Sequence, residues 1–113
     1  MSINLTQTDK DVIEKFYNLR KEIELEIENG KSLMYTLVKF IYPNLDSYQR
    51  PKKCTMVGRS LEKLKDNNIL IGNSNKIELD MKRVCFHKIK FKGKFKKLIC
   101  VEINGGWKIE NID

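Results

Sequence analysis

The sequence predicts an α+β domain: three N-terminal helices followed by a C-terminal antiparallel β-sheet. Three observations lead there. Apolar residues recur at three- and four-residue spacing through residues 8–66. Beyond them apolar and polar residues alternate, as they do along half-buried strands. Gly72-Asn73-Ser74-Asn75, Lys92-Gly93 and Asn104-Gly105-Gly106 punctuate that second part as turns. Helices first and strands after argue for α+β over an alternating α/β fold. The 113 residues suit one domain, divided as 1–30 (acidic helix), 31–66 (helical part) and 67–113 (antiparallel sheet). No internal repeat or linker divides the chain.

Thr8 to Asn29 reads as one long helix, with Val12, Phe16, Leu19, Ile23 and Ile27 on one stripe. Thr8 is placed as its N-cap, with Asp9 and Asp11 in the first turn where the helix dipole favours acids. Asn29-Gly30 stops it, since both tolerate the left-handed conformation. Its tail, Glu22 to Glu28, also alternates with period two. Ser32 to Ile41 is the second helix, burying Leu33, Met34, Leu37, Val38 and Ile41, and Pro43 ends it. A connection over Pro43–Lys53 follows, with room for a helical turn around Asn44–Gln49. Thr55 to Asp66 is the third helix, striped by Met56, Val57, Leu61 and Leu64. Asn67-Asn68 close it, and Ile69-Leu70-Ile71 is a short strand. The expected strands beyond are Lys76–Phe86, broken near Met81, then His87–Phe91, Phe95–Ile103 and Trp107–Ile112. Phe16, Leu37, Leu61, Leu64, Ile99, Val101 and Trp107 are the expected core.

Charge is segregated. Residues 1–30 carry four basic and seven acidic side chains; residues 31–113 carry eighteen and eight, within a formal net charge of +7. Such a field attracts polyanions. The polar start, Met1 to Lys10, shows no secretory signal, and no apolar run reaches the length of a membrane span. Three scattered cysteines make no disulfide framework and point to a reducing compartment. The expectation is a cytoplasmic protein with no membrane association.

Lys52 to Leu79 is the most informative stretch. Thr55, Val57, Arg59, Leu61 and Leu64 are followed by Asp66-Asn67-Asn68 and then by Ile69 and Ile71. The segment resembles the recognition helix and first wing of a winged helix-turn-helix DNA-binding domain. The resemblance implies a winged-helix-like fold in which Val57, Leu61 and Leu64 anchor the helix, while Thr55, Arg59, Glu62 and Lys63 face a major groove and its phosphates. It departs from the family in the longer turn Tyr42–Lys53 and in the strands beyond a simple wing. The same residues also fit an ordinary amphipathic helix leading into a strand. The ending Ile99 to Ile109 is similar to the last hairpin of cone-shaped folds related to nuclear transport factor two, which hold a ligand in an apolar cavity. This chain is short and basic for that.

Lys82 to Lys97 holds eight basic residues and no acid. From Lys88 to Lys96 lysine alternates with other residues, so strand geometry places lysines on one face and Ile89, Phe91 and Phe95 on the other. Lysine suits phosphate contact without base reading. A two-residue Lys92-Gly93 turn pairs Phe86 with Ile99 and Val84 with Val101. It also pairs Phe91 with Lys94, mixing the faces, so a bulge or longer loop is expected. The bland alternative is an edge hairpin whose lysines discourage aggregation.

His87 is the one histidine, and no nucleophile, carboxylate pair, phosphate loop or dinucleotide fingerprint is evident. The chain therefore reads as a binding protein and not an enzyme. Cys85-x-His87 with Cys100 and Cys54 contains zinc-ligand types, but no Cys-x-x-Cys knuckle accompanies them, and neither a metal nor a cofactor is assigned. Candidate binding residues for nucleic acid or an acidic partner are Lys52, Lys53, Thr55, Arg59, Lys63, Lys88, Lys90, Lys92, Lys94 and Lys96. The expected partner is nucleic acid, DNA ahead of RNA, with a regulatory or mobile-element (phage or plasmid) role. The alternative is a phage-type inhibitor of a nucleic-acid-handling host complex, anti-CRISPR-like, bound to an acidic protein or ribonucleoprotein surface. A homodimer through Ile13 and Leu25 of the first helix is a further expectation.

Overall fold

The computed structural model describes residues 4–73 and 76–112. The order is four helices, α1 (Gln7–Asn18), α2 (Arg20–Glu28), α3 (Leu33–Ile41) and α4 (Arg50–Asp66), then five strands, β1 (Leu70–Ile71), β2 (Glu78–Leu79), β3 (Val84–Phe91), β4 (Lys94–Ile103) and β5 (Gly106–Asn111). The α+β class stands, with four helices instead of three. The long first helix breaks at Leu19, whose φ of −121° and ψ of 31° leave the helical range. The break lets α1 present Val12, Ile13 and Phe16 to the core while α2 turns to bury Ile23.

Caps explain most boundaries. Thr6, not Thr8, caps α1: its hydroxyl accepts from the Asp9 backbone N–H, and the Asp9 carboxylate accepts from the Thr6 N–H, a capping box. Thr8 is buried inside the helix. Gly30, at φ 86°, ends α2 as its Lys31 neighbour donates back to the Glu26 carbonyl. Ser32 caps α3 by accepting from the Tyr35 N–H. The last helix starts earlier than its apolar stripe suggests. Asp46 accepts from the Tyr48 and Gln49 N–H groups in the preceding turn, and Pro51 sits in the first helical turn. A proline there loses no hydrogen bond. Lys52 and Lys53 are thus helical residues. Asn68, left-handed at φ 59°, closes α4.

The strands form two sheets, an antiparallel β1–β2 pair and a separate sheet ordered β3-β4-β5. The break expected near Met81 falls at the turn before Val84, and β3 runs on through His87 as one strand. Arg83 holds that turn through Asp80 and reaches across to Glu102. Lys92-Gly93 (φ 51° and 79°) and Asn104-Gly105 (φ 52° and 82°) are left-handed pairs, the two-residue turn suited to twisted hairpins. The register is that of a plain two-residue turn, with Val84 opposite Val101, Phe86 opposite Ile99 and also Phe91 opposite Lys94, the pairing that a bulge was expected to avoid. The anticipated bulge or longer loop is absent from this hairpin.

The core is one cluster in which Val12, Ile13 and Phe16 of α1, Leu37 and Val38 of α3 and Val57 and Leu64 of α4 join Leu70 and Leu79 of the small sheet and Val84, Ile99 and Val101 of the larger one. Phe16, Leu37, Leu61, Leu64, Ile99 and Val101 are buried as expected. Trp107 is not: it pairs with Glu102 on the outer face and is 53% exposed. Ile13 is fully buried, which removes it from any dimer contact, while Leu25 stays exposed. Met34, expected inside, is partly exposed where its sulfur crosses close to Gly58 of α4.

Candidate nucleic-acid interface

The β3–β4 hairpin projects its tip into solvent: residues 87–97 are all exposed. Alternation along each strand, combined with the observed register, puts Lys88, Lys90, Phe95 and Lys97 on one face and Ile89, Phe91, Lys94 and Lys96 on the other. The single lysine face expected from sequence is therefore corrected to two mixed faces. The Lys92-Gly93 turn shifts parity between the strands, so lysine pairs with an apolar residue across most of the tip. Cation–π stacking makes this arrangement workable. Lys88 and Lys90 lie 4.7 and 5.8 Å from the Phe95 ring centre, and Lys92 and Lys96 lie 5.5 and 5.3 Å from that of Phe91. Each ring offers its negative face to two ammonium groups, holding the lysines close without an acid between them. The hairpin base is rooted on α1, where Tyr17 stacks on Phe86 with ring centres 4.1 Å apart.

The second set of candidates lies on α4. Its buried face is Val57, Ser60, Leu61 and Leu64, so Lys52, Thr55, Arg59 and Glu62 fall on the solvent face at helical spacing. Thr55 donates its hydroxyl hydrogen to the Pro51 carbonyl at 3.1 Å. Lys53 leans the other way, half-buried with its ammonium 4.8 Å from the Tyr42 ring centre. Among the described residues Arg59 forms no ion pair, with Glu62 or otherwise.

Lys63 is the exception to the expected face. Its ammonium donates to the Asp9 carboxylate at 2.6 Å and to the Asn4 carbonyl at 2.5 Å. Asp9 is buried, and its other oxygen accepts from the Ser60 hydroxyl at 2.5 Å. Burial alone would push the Asp9 carboxyl up. The bonds from Lys63, Ser60 and the Thr6 N–H, with the Lys63 charge, outweigh burial and hold it below the ordinary value. Lys63 thus locks α4 to the start of α1 and is not a free phosphate contact. The sequence held one clue: a serine and a lysine three apart on α4 can both turn toward one acid.

No described hydrogen bond, ion pair or ring contact joins the α4 set to the hairpin set. A third group does come together. Cys85, His87 and Cys100 place their sulfur and imidazole nitrogen atoms within 4.8 Å of one another, while Cys54 packs against the core from α4. Burial and the adjacent Cys85 sulfur push the Cys100 thiol above its ordinary value. No helix among the described residues is long and apolar enough to cross a membrane. No family model, curated protein or solved structure matches this chain.

Proposed function

We propose that this protein is a small nucleic-acid-binding protein, a winged-helix-like DNA binder of regulatory or mobile-element type, acting without catalysis. The observation that carries the proposal is the exposed hairpin in which Lys88, Lys90, Lys92 and Lys96 lie over two aromatic rings and Lys94 pairs across from Phe91, with no acidic residue among them. Cations at this density favour a phosphate backbone, and a cation-flanked ring adds a surface on which an exposed base can stack. The solvent face of α4 supports the same reading. Arg59 can offer two donors to a guanine edge, with Lys52 and Thr55 toward the flanking backbone. The short β1–β2 pair that follows α4 directly is in keeping with a wing.

DNA affinity measured at several salt concentrations tests the proposal, because neutralised phosphates release counterions. Affinity should fall steeply with salt in the wild type. Changing Lys88, Lys90, Lys92 and Lys94 together to Glu should weaken binding and flatten that slope. A flat response in the wild type, or unchanged binding in the quadruple variant, rejects it.

A second reading is favoured by the outer sheet face. Ile89, Phe91, Trp107 and Ile109 are 42–66% exposed there, more apolar surface than phosphate binding needs. That face suits a protein partner, as in an anti-CRISPR-like inhibitor of a nucleic-acid-handling complex. Absence of DNA binding, combined with co-purification of a large nuclease, would move this reading first.

A further inference from the structure

The outer face of the β3-β4-β5 sheet carries chemistry that neither binding reading uses. Cys85 and His87 are two residues apart on β3 and share that face. Cys100 is the cross-strand partner of Cys85 on β4. Their potential ligand atoms all lie within 4.8 Å of one another. A tetrahedral zinc with Zn–S near 2.3 Å and Zn–N near 2.0–2.1 Å needs those atoms about 3.5–3.8 Å apart. Small side-chain rotations close the gap, because paired strands already hold the three backbone positions. Little ordering remains to be done when the ion arrives.

We propose that Cys85, His87 and Cys100 form a mononuclear zinc site on the sheet, its fourth position open to water or an incoming donor. The donor set is the soft sulfur and imidazole combination that zinc selects, with no carboxylate to favour magnesium or calcium. Leu98, opposite His87, and Ile109, opposite Cys100, flank the cluster and limit competing donors. Binding forms two Zn–S bonds and one Zn–N bond. The two thiol protons pass to solvent, and nothing is oxidised or reduced. Two thiolates cancel the charge of the dication, so loading adds no positive charge to a chain already at +7. The ion would also tie β3 to β4 at the base of the lysine hairpin. The competing fate of two thiols this close is a Cys85–Cys100 disulfide, in which His87 has no part.

The test uses the full chain, reduced with a phosphine under argon. Cobalt(II) is titrated in as a spectroscopic probe and then displaced by zinc. One cobalt per chain should bind with thiolate charge-transfer absorption and the intense visible bands of tetrahedral cobalt, and zinc should abolish both. Cys85→Ser, Cys100→Ser and His87→Ala should each weaken binding by on the order of 100-fold or more, whereas Cys54→Ser should leave it unchanged. His87 is exposed, so His87→Ala keeps the fold testable even where a cysteine variant does not. Alkylation counted by mass gives an independent readout: zinc should protect two of the three thiols. Absence of the tetrahedral spectrum, binding unaffected by His87→Ala, or a Cys85–Cys100 disulfide that persists in a glutathione buffer would overturn the proposal. None of these readouts depends on DNA binding.

Discussion

Asp9 does three jobs at once. It completes the α1 capping box, accepts from Ser60 and neutralises Lys63. A buried carboxylate is costly unless each oxygen is satisfied, and here both are. Asp9→Asn keeps the shape but removes the charge facing Lys63. It should cost on the order of 3 kcal/mol at neutral pH, at the low end for a buried pair because Lys63 is partly solvated. The pH dependence follows from the direction of the shift. A folded-state pKa below the ordinary value of 3.8 contributes stability that is full above that value and is lost as pH falls through the folded pKa. Urea unfolding at a series of pH values should therefore show wild type and Asp9→Asn converging in acid. Curves that stay parallel would mean that the carboxylate charge contributes nothing. Because Lys63 belongs to this network, Lys63→Met should lower stability first, and any loss of DNA affinity should track unfolding.

At the scale of elements, the turns decide the geometry. The β1–β2 pair depends on Gly72, which sits at φ 106°, and a methyl group there would run into the Lys76 carbonyl oxygen. Two obstacles coincide, since other residues avoid that φ and the space is taken by backbone. Gly72→Ala should cost about 1–3 kcal/mol. Faster hydrogen exchange at the Asp80 N–H, which donates to the Ile69 carbonyl at 2.9 Å, should accompany it. Wild-type stability in that variant would mean the turn is not formed as described. The Lys92-Gly93 turn has a different consequence. By joining the strands through two residues it forces lysine opposite Ile89, Lys90 opposite Phe95 and Phe91 opposite Lys94, which is why both faces of the tip are cationic.

Over the whole molecule, the acidic N-terminal region is partly neutralised from within. Arg20 bridges Glu24 and Glu78, and Lys39 meets Glu26. The hairpin lysines have rings instead of acids as neighbours, so the positive field concentrates there. The proposed division of labour is that the hairpin supplies affinity and α4 supplies preference. Arg59→Ala should then lower affinity for a selected site by about 1–3 kcal/mol while leaving random DNA nearly unchanged. The hairpin quadruple variant should weaken both alike. Equal binding of every sequence by wild type and Arg59→Ala would remove α4 from the recognition role and leave the hairpin as a sequence-blind contact.

What the sequence determined by itself is local. Helical stripes marked Phe16, Leu37, Leu61 and Leu64 as core, Asn-Gly pairs marked the ends of α2 and β4, and Lys92-Gly93 marked the β3–β4 turn. Each depends on residues close together in the chain, where spacing translates directly into direction. Tertiary structure decided the rest. Asp9 and Lys63 are 54 residues apart, so the Ser60–Lys63 spacing hints at a shared acid without naming which one. Trp107 belongs to an alternating strand, but only the packing of helices on one side of the sheet decides which face is wet. The lysine faces mix because parity is set across the turn and not along one strand. Cys85, His87 and Cys100 carry ligand chemistry in any fold. They become a candidate site because pairing brings β4 beside β3 in one register, and a slip of one residue would send Cys100 to the opposite face.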